Sequence, residues 1–500
     1  MRIRKIEIKD FKAFYGKHKI EPDGKNLFVY GENGSGKSSF YYALKDFFQS
    51  STETLNYNET ENIFLTQRQK GKGYIEITFN PDKDGNAIDK PYIVKKNSKN
   101  TYASDDTSIR DAVKLKSFLT YKHLLDIYHI KKDNEIDLFD LLVKGVLKHF
   151  KSVAVTGNKE LGELWTDVEQ SIAKPTVGRT YNITQKKSDV DNAIANFNNS
   201  FKKLFQESSI ENILTYAQPI LDKFGHNIDL KLYYTQVRAT SDYKDLERNH
   251  VRIKIEYLGK QIAKPHFFLN EARLSAIAIS IYLGMIKRHI QGNPLKILFL
   301  DDIFIGLDIS NRLPLLKILD SDFSAYQIFI TTYDKPWYEF VKSTYLNNNN
   351  FWKSYELYAR RARKGFEIPV IRENRSDSHV QNYIDKAQEY FDIADNKAAG
   401  VYLRSAFEFI LKRYCFGKVP VLFNTDTSKM KTDTFWNAVK KYKTTHPACG
   451  LTPLTTTQID HYTILVLNPL SHHDINKHEI TTEIQGALTT IATLKTELNV

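Results

Sequence analysis

Gly31, Gly36, Lys37 and Ser38 stand at the spacing G-x-x-x-x-G-K-[ST] within the segment Gly31-Glu32-Asn33-Gly34-Ser35-Gly36-Lys37-Ser38. Glycines so placed let the backbone bend until successive amides point at one anion. The lysine then reaches the outer phosphates of a nucleotide, and the Ser38 hydroxyl can ligate magnesium. Asn33, Gly34, Ser35 and Ser39 complete the cradle, and ATP with Mg2+ is the cofactor pair this chemistry calls for. Far downstream, Leu298-Phe299-Leu300-Asp301-Asp302 ends an apolar run in two carboxylates. Asp301 would join Ser38 on the magnesium, and Asp302 would orient an attacking water. Gly306-Leu307-Asp308 follows a few residues on.

These groups need a strand, a turn and a helix to hold them. Asn26 to Tyr30 reads as an apolar strand entering the glycine loop, and Ser39 to Phe48 as a helix leaving it. Earlier strands are marked by Ile3, Ile6 and Ile8 and by Lys17 to Ile20; later ones by Gly73 to Phe79 and Tyr92 to Lys95. A helical stretch is expected over 108–150, then a polar segment to about Phe224 without the heptads of a coiled-coil arm. Ile228 to Ala239 and His250 to Ile262 alternate as a hairpin, and Asn270 to His289 reads as an apolar helix. Lys296 to Leu300 is a buried strand, followed by a helix at Leu313 to Leu319 and a strand at Gln327 to Thr331. Such alternation predicts an α/β core with parallel strands. The run Arg372 to His379 reads as a linker, and the pattern from Val380 onward is helical.

Composition narrows the setting. The 500 residues carry 41% hydrophobic and 13% aromatic side chains, enough for two or three domains with large cores. Lys plus Arg number 71 against 59 Asp plus Glu, and the net charge of +12 favours a polyanionic partner, DNA or RNA. Cys415 and Cys449 are the two cysteines, which excludes a disulfide framework or a cysteine-built zinc site. The N-terminus alternates like a strand and no long apolar run follows, so a cytoplasmic chain with no membrane span is expected. Arg360, Arg361, Arg363 and Lys364 form a local basic cluster that reads as the solvated end of a β-hairpin.

The order of these motifs resembles the ATPase heads of the structural-maintenance-of-chromosomes (SMC) and DNA-repair class within the ABC superfamily, including RecF-like proteins. Phe268 to Ala278 resembles the signature motif of that class, with Asn270, Glu271 and Ser275 at the start of a helix that faces the γ-phosphate of the opposite subunit. Asp301 and Asp302 resemble the Walker B pair, and Gly306 to Asp308 the D-loop. The resemblance implies an ABC/SMC-type P-loop ATPase head with a mixed sheet over residues 1–371, a short helical insertion at about 108–224, a linker at 372–379 and an all-α bundle at 380–500. It also implies at least a homodimer, two heads sandwiching two nucleotides. Asp302 stands where the family usually has glutamate, and Tyr333 where it often has histidine. Both departures imply slow hydrolysis, since tyrosine is a poor base at neutral pH. Lys12 and Phe14 lie where the early strands of such heads approach the base, and core packing accounts for Phe14 equally well.

In the C-terminal bundle Arg404 and Glu408 are four residues apart, on one face of a helix. Leu465 to Asp474 carries Asn468, His472 and His473. These residues resemble a HEPN-type domain, the ribonuclease of PrrC and RloC anticodon nucleases, where an Arg-x-x-x-Glu pair works with a distant histidine. Leu467 precedes Asn468 where that pattern usually has arginine.

Three functions follow from the resemblances. One is the ATPase of a bacterial anti-phage system, similar to the PARIS and Septu subunits, that senses a trigger and controls a separate nuclease effector. Another is a self-contained ATP-gated RNA-cleaving toxin. The last is a RecF-like DNA-repair clamp, which leaves the C-terminal bundle without a role.

Overall fold

The computed structural model describes residues 1–52, 59–80, 92–95, 107–115, 117–128, 137–152, 154, 159–176, 182–247, 250–288, 293–344, 346, 351–361, 365–373, 379–419, 430–471 and 481–500. The chain divides into two compact units, 1–342 with 349–373, and 343–348 with 374–500.

The described residues of the first unit form three sheets. β1 (Arg2–Phe11), β2 (Phe14–Ile20), β4 (Tyr74–Asn80) and β5 (Tyr92–Lys95) form an antiparallel sheet in the order β2-β1-β4-β5. β3 (Asn26–Gly31), β6 (Phe118–Thr120), β10 (Ile297–Asp301), β11 (Gln327–Thr332), β12 (Trp352–Arg361) and β13 (Glu367–Glu373) form the second, in the order β13-β12-β3-β11-β10-β6. Its pairings are parallel except the β12–β13 hairpin. β7 (Ile228–Tyr234), β8 (Val251–Tyr257) and β9 (Lys260–Ile262) make a small antiparallel sheet.

Every residue of β3, β10 and β11 is buried, the continuous apolar run of parallel strands covered on both faces. The helix Lys37–Gln49 fills the space between the first two sheets. Its Phe40, Leu44 and Phe47 share one core with Ile3, Ile6 and Ile8 of β1 and with Phe299 and Phe329 of the central sheet. The carboxyl ends of β3, β10 and β11 therefore lie side by side, the edge at which open parallel sheets bind ligands.

The segment expected to be one helical stretch over 108–150 is broken. A helix, Thr107–Lys114, precedes β6, a second helix spans Tyr121–Tyr128, and a π-turn spans Leu141–Val146. β6 extends the central sheet by pairing Phe118 and Leu119 with Phe299 and Leu300. Three residues are too few for periodicity to register. The helix expected at Leu313 to Leu319 runs Ile309–Asp322, lengthened by a side-chain cap at Asp308.

Glu7 ties the antiparallel sheet together. Its buried carboxylate receives Lys17 Nζ at 2.8 Å, Lys5 Nζ at 3.1 Å and the Tyr74 hydroxyl at 2.5 Å. Burial pushes the acid up, but the donors Lys17, Tyr74 and Lys5 outweigh it and hold it at about 2 against the ordinary 4.5. A depressed folded value contributes stability that is present above pH 4.5 and is lost as pH falls through 2. The upper limit is about 3 kcal/mol, reduced by salt at the exposed Lys17 end. Urea denaturation between pH 6 and pH 3 should show the wild type losing stability and Glu7→Gln, weaker at pH 6, losing less. Parallel curves would rule the anchor out.

The second unit is helical. Its helices span His379–Asp392, Asn396–Lys418, Thr432–Thr445, Pro453–Tyr462 and Thr481–Leu498, with a π-turn at Thr463–Leu467 running into Asn468–Ser471. Leu403, Phe407, Ile410, Phe435, Ile459, Leu467, Ile491 and Leu494 form its core. At Gly400 a Cβ would lie 2.5 Å from Leu470 Cβ, so glycine is what lets the Asn468–Ser471 turn press against the long helix. Among the described residues no helix is long and apolar enough to cross a membrane.

Candidate functional site

β3 delivers the chain to Gly31, and the loop that follows turns through positive φ at Gly34 (85°) and Gly36 (101°) before the helix begins at Lys37. Side chains would not fit: a Cβ at Gly31 would stand 2.4 Å from Ser35 Oγ and 2.8 Å from Lys37 Cγ. Lys37 is buried, and its Nζ donates to the carbonyls of Gly31 (2.7 Å) and Glu32 (3.3 Å). Ser35 Oγ is buried with no hydrogen-bond partner among the described residues. Asn33, Gly34 and Ser38 are exposed on the open side, and Ser39 Oγ accepts the Ala13 amide at 3.3 Å.

Across the loop, β10 ends at Asp301. Thr331 Oγ1, on the neighbouring β11, donates to Asp301 Oδ1 at 2.5 Å. Burial raises the Asp301 carboxyl to about 6 and the Asp302 charge adds to this, while the Thr331 donor and Lys37 oppose it. Asp302 takes left-handed backbone, φ 53°, and its amide donates to Thr331. Its Oδ2 is 3.8 Å from Lys37 Nζ, and Oδ1 is buried with no hydrogen-bond partner among the described residues. Burial raises this acid as well, with Lys37 and the Tyr333 amide pulling it down.

The residues fit a magnesium nucleotide. The glycine turn closes tightly on itself, a Cβ at Gly31 meeting Ser35 Oγ and Lys37 Cγ, and two buried polar atoms, Ser35 Oγ and Asp302 Oδ1, stand beside a fixed ammonium. Lys37, Ser38 and Asp301 would hold ATP and Mg2+, which supply the transferable phosphoryl group and its charge neutralisation. Asp302 would hold and orient a water. Tyr333 is 44% exposed just past β11, and its amide faces the Asp302 carboxyl.

One expectation needs correction. Ser275 is fully buried inside the helix Glu271–Arg288 and cannot present its hydroxyl to a nucleotide on another subunit. The polar groups exposed at that helix start are Asn270, whose Oδ1 caps the Arg273 amide, and Glu271. Of the two readings of Phe14, the structure favours core packing: the ring is fully buried and packed on His18. Asp308 is exposed but committed to its own helix: Oδ1 receives Ser310 Oγ and the Asn311 amide and side chain, which hold the acid below its ordinary range. Thr331 is a site residue that sequence reasoning does not single out, and the polar Thr331-Thr332 pair closing an apolar strand is its available signal.

In the second unit, Arg404 donates to Glu408 Oε1 (3.4 Å), to Thr432 Oγ1 (3.1 Å) and to Asn468 Oδ1, and Thr432 Oγ1 donates to Glu408 Oε1 at 2.6 Å. Three helices thus converge on one half-buried polar cluster. Burial raises the Glu408 acid, but Thr432, Lys412 and Arg404 outweigh it and lower it. His472 and His473 lie outside the described residues, as do Arg363 and Lys364; Arg360 and Arg361 end β12.

Comparisons with known proteins bear on the first unit. A search of curated proteins gives no match. Among solved structures, an SMC head bound to the C-terminal winged-helix domain of ScpA is 14% identical with a TM-score of 0.39, over 75% of this chain and 99% of that one. An SMC head with an extended coiled coil bound to the C-terminal domain of ScpA, from Pyrococcus furiosus, is 14% identical with a TM-score of 0.37, over 74% and 96%. The SMC head domain from Thermotoga maritima is 12% identical with a TM-score of 0.35, over 75% and 99%. The family model described as the RecF/RecN/SMC N-terminal domain matches residues 2–349, more than half the chain, and the glycine loop, the β10 carboxylates and the helix Glu271–Arg288 all fall within it. By that match the chain belongs to the RecF/RecN/SMC N-terminal domain family, with a P-loop ATPase head followed by a helical unit.

Proposed function

We propose that the chain is a slowly hydrolysing, ATP-binding switch of a bacterial anti-phage defence system, pairing with a second copy of itself and controlling a nuclease effector. The observation that carries this reading is Asp302. The group that would orient the water is an aspartate on left-handed backbone, 3.8 Å from Lys37, short in reach and tethered to the phosphate loop. Such an arrangement favours holding ATP over turning it over. Phage plating on cells carrying the gene with its neighbours tests the reading. Wild type should reduce plaque numbers, and Lys37→Ala should restore them to the level of empty cells. Equal plating on all three strains would remove the defence role.

A second reading, an RNA-cleaving effector within the same chain, is favoured by the cluster of Arg404, Glu408, Thr432 and Asn468. A guanidinium fixed by three partners can stabilise charge on a phosphorus centre, and His472 or His473 would move the proton. On this reading, expression of the chain under triggering conditions fragments tRNA, and Arg404→Ala or His472→Ala leaves it whole. Intact tRNA with the wild type assigns cleavage to a separate partner.

A further inference from the structure

The phosphate loop accounts for the triphosphate and leaves the base of the nucleotide unassigned. Gly36 sits between two neighbours: a Cβ there would meet Pro369 Cγ at 2.9 Å and Ala13 Cβ at 3.8 Å. Both lead to the same aromatic group. Tyr15, two residues past Ala13, meets Phe366, three before Pro369, edge-on with ring centroids 5.0 Å apart. Phe366 in turn stacks on Phe64, with centroids 4.4 Å apart and planes within 7°.

Phe64 is held there by backbone. The Lys12 amide donates to the Thr60 carbonyl at 2.7 Å, Asn62 Nδ2 donates to the Lys12 carbonyl at 2.7 Å, and Asn62 Oδ1 accepts the Phe64 amide at 2.9 Å. With one face on Phe366, Phe64 still leaves 47% of its surface in solvent. Three extended residues from Pro369 to Phe366 span about 10 Å, comparable with the reach of a nucleotide from its phosphates to its base. A planar base laid on an exposed ring covers apolar surface and gains stacking energy whatever its identity.

We propose that Phe64 is the ring on which the base of the bound nucleotide stacks, with Phe366 and Tyr15 positioning it. The proposal rests on the reading of the loop as a triphosphate site. Phe366 and Pro369 lie beyond the residues 2–349 that the family model matches, so the platform joins the head's own loop to the β12–β13 hairpin that follows.

Calorimetric titration of the full chain with magnesium ATP and with magnesium tripolyphosphate separates base from phosphates. The wild type should bind ATP about ten-fold or more tightly than tripolyphosphate. Phe64→Ala should remove most of that advantage and leave tripolyphosphate binding unchanged, and Phe64→Trp should retain it. Unchanged ATP affinity in Phe64→Ala overturns the platform, as does an equal loss for both ligands, which would mark a loop that only supports the phosphates. A wild type that binds neither ligand overturns the triphosphate reading itself and the platform with it.

Discussion

Lys37→Ala is expected to weaken magnesium ATP binding by about 100-fold or more and to abolish hydrolysis, since each charge-assisted contact to a phosphate contributes about 1.5–3 kcal/mol. Lys37 Nζ is already fixed by the carbonyls of Gly31 and Glu32, so little ordering remains to be done when a phosphate arrives. The same substitution removes the cation beside Asp302, whose acid burial already raises. With Lys37 gone the larger of the two effects that oppose burial is lost and the Tyr333 amide remains, so the carboxyl should protonate at higher pH than in the wild type. Equilibrium titration with a fluorescent ATP analogue, together with a carboxyl-resolved pH titration by NMR, reads both effects. Wild-type affinity in the variant would remove the loop from the nucleotide site.

What the sequence makes legible is what is local. A glycine loop with its lysine and hydroxyl spans eight residues, and the strand before it and helix after it lie within residues 26–49. Asp301 and Asp302 are legible because an apolar run must end somewhere, and two acids at its end have few reasons to be there. Ser275 was misplaced for a reason of the same kind: a motif fixes position along a helix, but the apolar residues on every side of Ser275 turn that position inward. β6 escaped because three residues have no period. The partners that complete each cluster lie far off in sequence: Thr331 is thirty residues from Asp301, Thr432 twenty-four from Glu408, Asn468 sixty-four from Arg404. Only the packing of strands and helices brings them in, and no spacing rule reaches that far.

Asp302 then carries the sharpest test of the switch. Its backbone is left-handed, φ 53°, a region that aspartate and asparagine enter several-fold more often than longer side chains. Asp302→Asn therefore keeps the backbone and the packing while removing the charge that orients water. ATP affinity should stay within about three-fold of wild type, while turnover falls about 100-fold or more, the range of a lost acid–base group. Asp302→Glu asks the opposite question. It adds one methylene of reach at a cost of about 1 kcal/mol for a less tolerant side chain at positive φ. If short reach and the tether to Lys37 are what slow the wild type, the glutamate variant turns over several-fold faster despite its lower stability. Phosphate release at saturating ATP measures both variants. An asparagine variant that hydrolyses at the wild-type rate would move the water-orienting role elsewhere, exposed Tyr333, whose amide faces the Asp302 carboxyl, being the next candidate, and a glutamate variant no faster than wild type would show that reach at this position does not set the rate.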